Sequence, residues 1–179
     1  MNKILVGIDL LEKDRSVIDT AISLAQTTGA TLMLLHVLSR TELDYPILPT
    51  YSYNPILDER EYRIYQQQLA GYYQRGIDQL QKFTKEAIAK SVKAEYTQLT
   101  GNPGRMICEL ATNWSAELIV VGSRGLKGLK EIFLGSVSNY VTHHSPCSVL
   151  IVRTATSSGS DDNSANTTTS EAEFLTSQF

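Results

Sequence analysis

Cysteine, long apolar runs and clustered basic residues are all scarce in this sequence. Only Cys108 and Cys147 occur among 179 residues, and they form no C-x-x-C pair, so neither a disulfide framework nor a zinc site is suggested. No stretch approaches the roughly 18 apolar residues of a membrane span, and the first residues lack the layout of a signal peptide. We therefore expect a cytoplasmic protein that does not act at a membrane.

Basic charge is also lacking. The net charge is −3, and residues 154–179 alone carry −4, from two Asp and two Glu with no Lys or Arg, which leaves +1 for residues 1–153. A nearly neutral body without a basic field argues against nucleic acid as a partner. The segment 154–179 is rich in Ser, Thr, Asn, Gly and Asp and has few apolar residues to bury. We expect one domain at 1–153, followed by a disordered acidic tail at 154–179.

What the chain does contain is an alternation of strand-like and helix-like patterns. Helical spacing of apolar residues predicts helices over 14–28, 59–90 and 136–143 and another that Asn102 caps and Pro103 opens. A long irregular loop is expected over 39–58. Strands are predicted between them, at Lys3–Ile8, Thr31–Leu38, 92–99, 117–122 and 148–153. Strand-helix-strand units repeated in this way predict an α/β fold, a Rossmann-like three-layer doubly wound sandwich around a five-stranded parallel sheet.

A glycine-rich stretch joins the fourth predicted strand to the last predicted helix. Gly122, Gly125 and Gly135 let backbone N–H groups approach a ligand without a Cβ in the way, and Ser136 and Ser138 add hydroxyl donors. The first N–H groups of a helix have no partner within the helix and lie at its positive end, which favours phosphate. Each glycine taken alone is also explained by a turn, and the dinucleotide and P-loop fingerprints are absent. The whole pattern predicts a phosphate-binding site.

This pattern, G-x2-G-x9-G-S, resembles the signature of the ATP-binding branch of the universal stress protein family. The resemblance extends over most of 1–153. Its other matching segments are ILVGID, HVL, GNP, LIVVGSRG, LGSVS and PCSVLIV. It implies the strand order 3-2-1-4-5 and a bound ATP, with ADP or AMP as related ligands, in the crevice at the carboxyl ends of the first and fourth strands.

The resemblance also implies roles for particular residues. Ile8 and Asp9 would lie beside the adenosine, and the backbone of Val37 would contact the adenine. Asp9 would hold Mg²⁺ or Mn²⁺ through water. Capping of a turn is the alternative for Asp9, and plain core packing is the alternative for Val37. The ribose and phosphates would be lined by Gly122, Arg124, Gly125, Gly135, Ser136, Val137 and Ser138.

No set of catalytic residues is evident, because phosphoryl transfer needs a metal-holding carboxylate, a positioned nucleophile and cations at the γ-phosphate. The sequence therefore predicts a nucleotide-dependent regulatory module of the stress response, which acts on an unidentified protein partner. The alternatives are a slow ATPase or phosphotransferase, a nucleotide-independent interaction module and a cyclic AMP binder. The last predicted strand, which begins at Ser148 and ends at Arg153, would pair two copies into the homodimer common in the family.

Overall fold

The computed structural model describes residues 1–9, 15–40, 45–47, 59–123 and 134–153. None of the helices in these stretches is long and apolar enough to cross a membrane. The elements in chain order are β1 Lys3–Ile8, α1 Arg15–Thr28, β2 Thr31–Leu38, α2 Glu59–Ala89, β3 Ala94–Thr100, α3 Pro103–Trp114, β4 Leu118–Gly122, α4 Ser136–His144 and β5 Ser148–Val152.

The strands form one parallel sheet in the order β3-β2-β1-β4-β5. β1 pairs along its whole length with β2, and its residues 4–7 pair with β4 on the other side. The chain therefore continues from β1 to β2 and β3 on one side of β1, and it later crosses over to form β4 and β5 on the other side. This confirms the predicted fold class and strand order, and it makes the carboxyl ends of β1 and β4 the point where the direction of winding reverses.

Two separate clusters of apolar side chains bury the two faces of the sheet. Ile4 and Val6 of β1 pack in one cluster with Ile22 of α1 and Leu80 of α2. Leu5, which points to the opposite face because side chains alternate along a strand, packs in the other cluster with Ile107 of α3. Helices thus cover both faces, which explains why β1 and β2 are apolar almost throughout.

The predicted bounds of β1 and β2 are confirmed residue for residue, whereas β3 starts two residues later than predicted. Val92 is buried, with 4% of its surface exposed, but it lies in the turn after α2. Its N–H donates to the carbonyl oxygen of Ala87 at 3.0 Å, and Ser91 adopts a left-handed φ of 61°. Alternation of apolar residues assigned Val92 to the strand because a buried turn residue and a strand residue look alike in sequence. The structure describes only 39–40 and 45–47 of the predicted loop, and the predicted tail lies outside the described residues.

A polar contact interrupts the apolar core beneath α2. His36 of β2 is 3% exposed, and its Nδ1 lies 3.3 Å from Oε1 of Gln98, its neighbour in register on β3. Nε2 of Gln98 donates to the backbone carbonyl of Tyr73 at 3.2 Å. Burial lowers the pKa of His36. A side chain on Gly76 of α2 would overlap Oε1 of Gln98, so the helix backbone itself packs against this pair.

Replacing Gly76 by alanine should therefore destabilise the protein by about 1–3 kcal/mol, the usual range for an overfilled core. The added Cβ would overlap Gln98 and lie 3.0 Å from Nδ1 of His36. Gly71, on the same helix, is the matched control, because its Cβ would meet only the flexible end of Arg75 at 3.8 Å. Gly71→Ala should raise the free energy of unfolding by up to about 1 kcal/mol through helix propensity. Urea unfolding of both variants measures the difference, and equal effects would contradict the packing of α2 against Gln98.

Acid should weaken the fold through His36. Its folded pKa is lowered by burial, so below roughly pH 6.5 the unfolded chain binds a proton that the folded chain does not. The free energy of unfolding should fall as the pH drops from about 6.5 toward the folded pKa. Urea unfolding across this range should give a flatter pH dependence for His36→Gln than for the wild type. Parallel curves would show that His36 has the same pKa in both states.

Candidate functional site

The carboxyl ends of β1 and β4 lie side by side in the sheet. β1 ends at Ile8 and β4 ends at Gly122. The two ends are adjacent because Gly7, one residue before the end of β1, pairs with Val121, one residue before the end of β4. The N–H of Gly135 donates to the carbonyl oxygen of Ser123 at 2.9 Å. The start of α4 is therefore fixed directly to the end of β4, as the phosphate-site prediction requires.

The first turn of α4 is open to a ligand. Gly135 is its N-cap, with φ −60° and ψ 160°, and it offers no side chain to cap the helix. The N–H groups of the next three residues, 136–138, have no partner within the helix, and the helix dipole places positive charge at them. Ser136 is exposed, so its hydroxyl is accessible beside these N–H groups. This terminus is suited to an anion such as a phosphate.

Ser138 has a different role from the one its hydroxyl suggested in the sequence. The side chain is buried, with 2% of its surface exposed, and its Oγ lies 3.1 Å from the carbonyl oxygen of Gly135 and 3.3 Å from that of Ser123. The hydroxyl hydrogen is therefore engaged within the protein. Ser138 holds α4 against β4 and offers a ligand its backbone N–H alone.

The residues expected beside the adenosine divide between the two faces of the sheet. The side chain of Ile8 packs in the cluster under α1 and α2, and that of Val37, 5% exposed, packs in the cluster under α3. Both residues can therefore contact a ligand only through their backbones. Asp9 follows β1 and is half-buried, and burial raises the pKa of its carboxyl group.

The structure brings together most of the site residues predicted from the sequence. Gly122, Gly135, Ser136, Val137 and Ser138 converge where β4 meets α4, while Ile8 ends the adjacent strand and Asp9 follows it. Arg124 and Gly125 lie outside the described residues. Over the described part of the chain, no three His, Cys, Asp or Glu side chains form a group that could hold a metal ion.

A groove that the sequence interpretation did not identify adjoins this site. It has a volume of about 580 Å³ and lies between the carboxyl ends of β2 and β3 and the first turns of α3 and α4. Its lining includes Arg40, Asn102, Ser136, Val137 and Tyr140. Tyr140 is 36% exposed, whereas the neighbouring Val141 is fully buried. The sequence indicated the groove only indirectly, through the predicted parallel strands, whose carboxyl ends share one edge of the sheet.

The comparison with protein families agrees with this architecture, because the model of the universal stress protein family matches residues 1–153. The chain belongs to the universal stress protein family. Universal stress protein Sll1388 of Synechocystis sp. is 38% identical over 151 residues, which are 84% of this chain and 97% of that protein. Universal stress protein YxiE of Bacillus subtilis is 36% identical over 154 residues, 85% of this chain and 99% of the relative.

Solved structures of universal stress proteins share the fold. UspA from Lactobacillus plantarum superposes with a TM-score of 0.67 at 20% identity, covering 85% of this chain and 97% of that one. A universal stress protein in complex with cAMP gives 0.58 at 23% identity, with 86% and 98% covered. A family member from Arabidopsis thaliana with AMP bound gives 0.56 at 19% identity, with 87% and 93% covered. Two of these three proteins thus carry an adenine nucleotide.

Removing the Ser138 hydroxyl should loosen the junction of β4 and α4. Ser138→Ala should lower the free energy of unfolding by about 1 kcal/mol, the usual net value of a buried hydrogen bond. The two carbonyl groups keep other donors, the N–H groups of Gly135 and Asn139. Ser136→Ala, at an exposed position of the same turn, should change stability by no more than about 0.5 kcal/mol. Urea unfolding compares the two variants, and an equal loss in both would contradict the assigned role of Ser138.

Proposed function

We propose that this universal stress protein binds an adenine nucleotide at the carboxyl ends of β1 and β4, and we expect this nucleotide to be ATP. The observation that carries the proposal is the hydrogen bond from Gly135 to Ser123, which sets the open first turn of α4 against the end of β4. This junction is built from the second half of the G-x2-G-x9-G-S pattern. The cAMP and AMP complexes of two family members support an adenine nucleotide as the ligand.

In the proposed complex the phosphates lie at α4. The N–H groups of Ser136, Val137 and Ser138 and the hydroxyl of Ser136 donate to phosphate oxygens. Arg124 and Gly125, which lie outside the described residues, are expected to contribute further contacts. Such hydrogen bonds are strong because the acceptor is charged. The positive end of the helix dipole adds an electrostatic attraction for the phosphate.

The adenosine lies toward β1 and β2, where the backbones of Ile8 and Val37 are available. Asp9 is the residue that would hold Mg²⁺ or Mn²⁺ through water. A single carboxylate suits this role, since Mg²⁺ usually keeps several waters and binds through one or two carboxylates plus phosphate oxygens. The ion would neutralise phosphate charge, and its presence would favour the ionised form of Asp9, which burial opposes.

The proposed role is regulatory. Binding at a helix terminus through backbone groups retains a nucleotide, and none of the residues assigned to the site is a positioned nucleophile, which phosphoryl transfer requires. The domain, residues 1–153, would have different affinities for a protein partner in the cytoplasm with and without bound nucleotide. Residues 154–179 would be an acidic tail attached to this domain. Two copies would pair through β5, which lies at the edge of the sheet.

Cyclic AMP is a second candidate ligand, favoured by the family member solved with it. A cyclic phosphate carries one negative charge and leaves fewer oxygens for the first turn of α4. Its binding should therefore depend less on Ser136 than the binding of ATP does.

Ser136→Ala should weaken ATP binding by roughly tenfold, because a hydrogen bond to a charged group contributes about 1.5–3 kcal/mol. Isothermal titration calorimetry with ATP, AMP and cyclic AMP measures the change for each ligand. Ser23→Ala is the matched control, since Ser23 is an exposed serine of α1, on the opposite face of the sheet from α4.

Unchanged ATP affinity in Ser136→Ala would remove Ser136 from the site. Nucleotide extracted from freshly purified protein and identified by mass spectrometry gives an independent result. A protein that carries no nucleotide and binds none on titration would contradict the proposed function and favour a nucleotide-independent interaction module.

A further inference from the structure

The two cysteines of the chain are 39 positions apart in sequence but lie in the same part of the fold. Cys108 is in the middle of α3, and Cys147 is the last residue before β5. Both are free thiols, and both side chains are partly buried against the apolar cluster under α3. Neither residue has a role in the proposed nucleotide site.

The packing of α3 against α4 places Cys108 beside the end of α4. The two helices connect successive parallel strands on the same face of the sheet, so they run in the same direction. They touch where Gly104 faces Tyr140, since a Cβ on the glycine would lie 2.8 Å from Cδ1 of the ring. One helical turn beyond this contact, α3 carries Cys108 and α4 carries its last residue, His144. The ring of His144 stacks on that of Tyr140, with centroids 4.1 Å apart, so both lie on one side of α4.

Cys147 follows the same end of α4 after a tight bend. Ser145 is the C-cap of the helix, and its N–H donates to the carbonyl oxygen of Val141 at 2.9 Å. The Oγ of Ser145 accepts a hydrogen bond from the N–H of Cys147 at 3.1 Å and lies 3.8 Å from its Sγ. Cys147 is therefore held close to the last turn of α4, which is the turn that Cys108 adjoins.

The electrostatics of Cys108 agree with this placement. Burial raises the pKa of its thiol, and the negative charge of an ionised Cys147 raises it further. An effect of one charge on another weakens with distance, so it indicates that the two sulfur atoms are near each other. Because the thiolate is the nucleophile, the protonated Cys108 is the less reactive partner, and Cys147 is the residue that an oxidant modifies first.

We propose that Cys108 and Cys147 form a reversible disulfide that joins α3 to the turn between α4 and β5, with a hydroperoxide as the oxidant. The thiolate of Cys147 attacks a peroxide oxygen, so that an S–O bond forms, the O–O bond breaks and the leaving hydroxide takes up a proton to become water. The sulfur of Cys108 then attacks the resulting sulfenic acid. An S–S bond forms, the S–O bond breaks, and hydroxide leaves with the Cys108 proton as a second water. The two thiols lose two electrons, which the peroxide gains.

The disulfide closes the loop 108–147 and stabilises the fold, because it restricts the unfolded chain. It lies at the opposite end of α4 from Ser136, so the open first turn of the helix stays accessible. In a reducing compartment the pair persists as thiols, and the disulfide forms only while oxidant is present. The inference does not depend on the proposed nucleotide binding.

The test compares the reduced full chain with the same protein after brief treatment with hydrogen peroxide in native buffer. Both thiols should disappear from a titration in denaturant and return after dithiothreitol. Trypsin cleaves after Arg124, Lys127 and Lys130, between the two cysteines, so mass spectrometry of the unreduced digest should find their two peptides joined. The oxidised protein should unfold at a urea concentration about 1–2 M higher than the reduced protein, as expected for a loop of this length.

Cys108→Ser and Cys147→Ser are the matched controls, since each keeps one thiol. After oxidation both should lack the joined peptides and the shift in urea midpoint, and unfolding of the reduced variants shows whether they are folded.

Three results for the wild type would each overturn the inference, whether or not the variants fold. The first is two intact thiols at a peroxide concentration that oxidises free cysteine. The second is a covalent dimer on a non-reducing gel, which places the bond between two chains. The third is conversion of either cysteine to sulfinic acid without joined peptides.

Discussion

β1 pairs in parallel with β2 on one side and with β4 on the other, and every feature of the candidate site follows from that position. Parallel pairing sends the carboxyl ends of all five strands to one edge, where the loops and helix starts that follow them meet. The reversal of winding occurs at β1, and in open α/β sheets ligands bind outside the carboxyl ends of the strands at such a point. The glycine pattern, the end of β2 and the groove are three parts of this one edge.

Most of the fold could be predicted because its signals are local. The apolar runs of β1 and β2 and the Asn102-Pro103 start of α3 determine element and boundary from neighbouring residues alone. The start of β3 was predicted wrongly because burial there depends on distant partners, and Val92 is buried in a turn. The position of Tyr140 beside the groove likewise depends on Gly104, 36 positions earlier in the chain, which leaves room for its ring.

The candidate site was predictable only in part, for a similar reason. Gly122, Gly135 and Ser136 belong to a recognisable pattern, so their convergence was expected. A pattern does not reveal which hydroxyl is already engaged, and the burial of Ser138 against two carbonyl groups separates it from Ser136. The contact between His36 and Gln98 joins residues 62 positions apart, and its requirement for Gly76 depends on the packing of α2.

The Ser138 bridge also bears on the rate at which a ligand exchanges. Because two carbonyl groups and one buried hydroxyl already hold the start of α4, its N–H groups are aligned before any phosphate arrives. Association at this end of the site then requires no local ordering step and is governed by encounter and orientation. Differences in affinity among related anions should consequently reside in their dissociation rates, and in the proposed complex the lifetime would be the quantity that distinguishes one nucleotide from another.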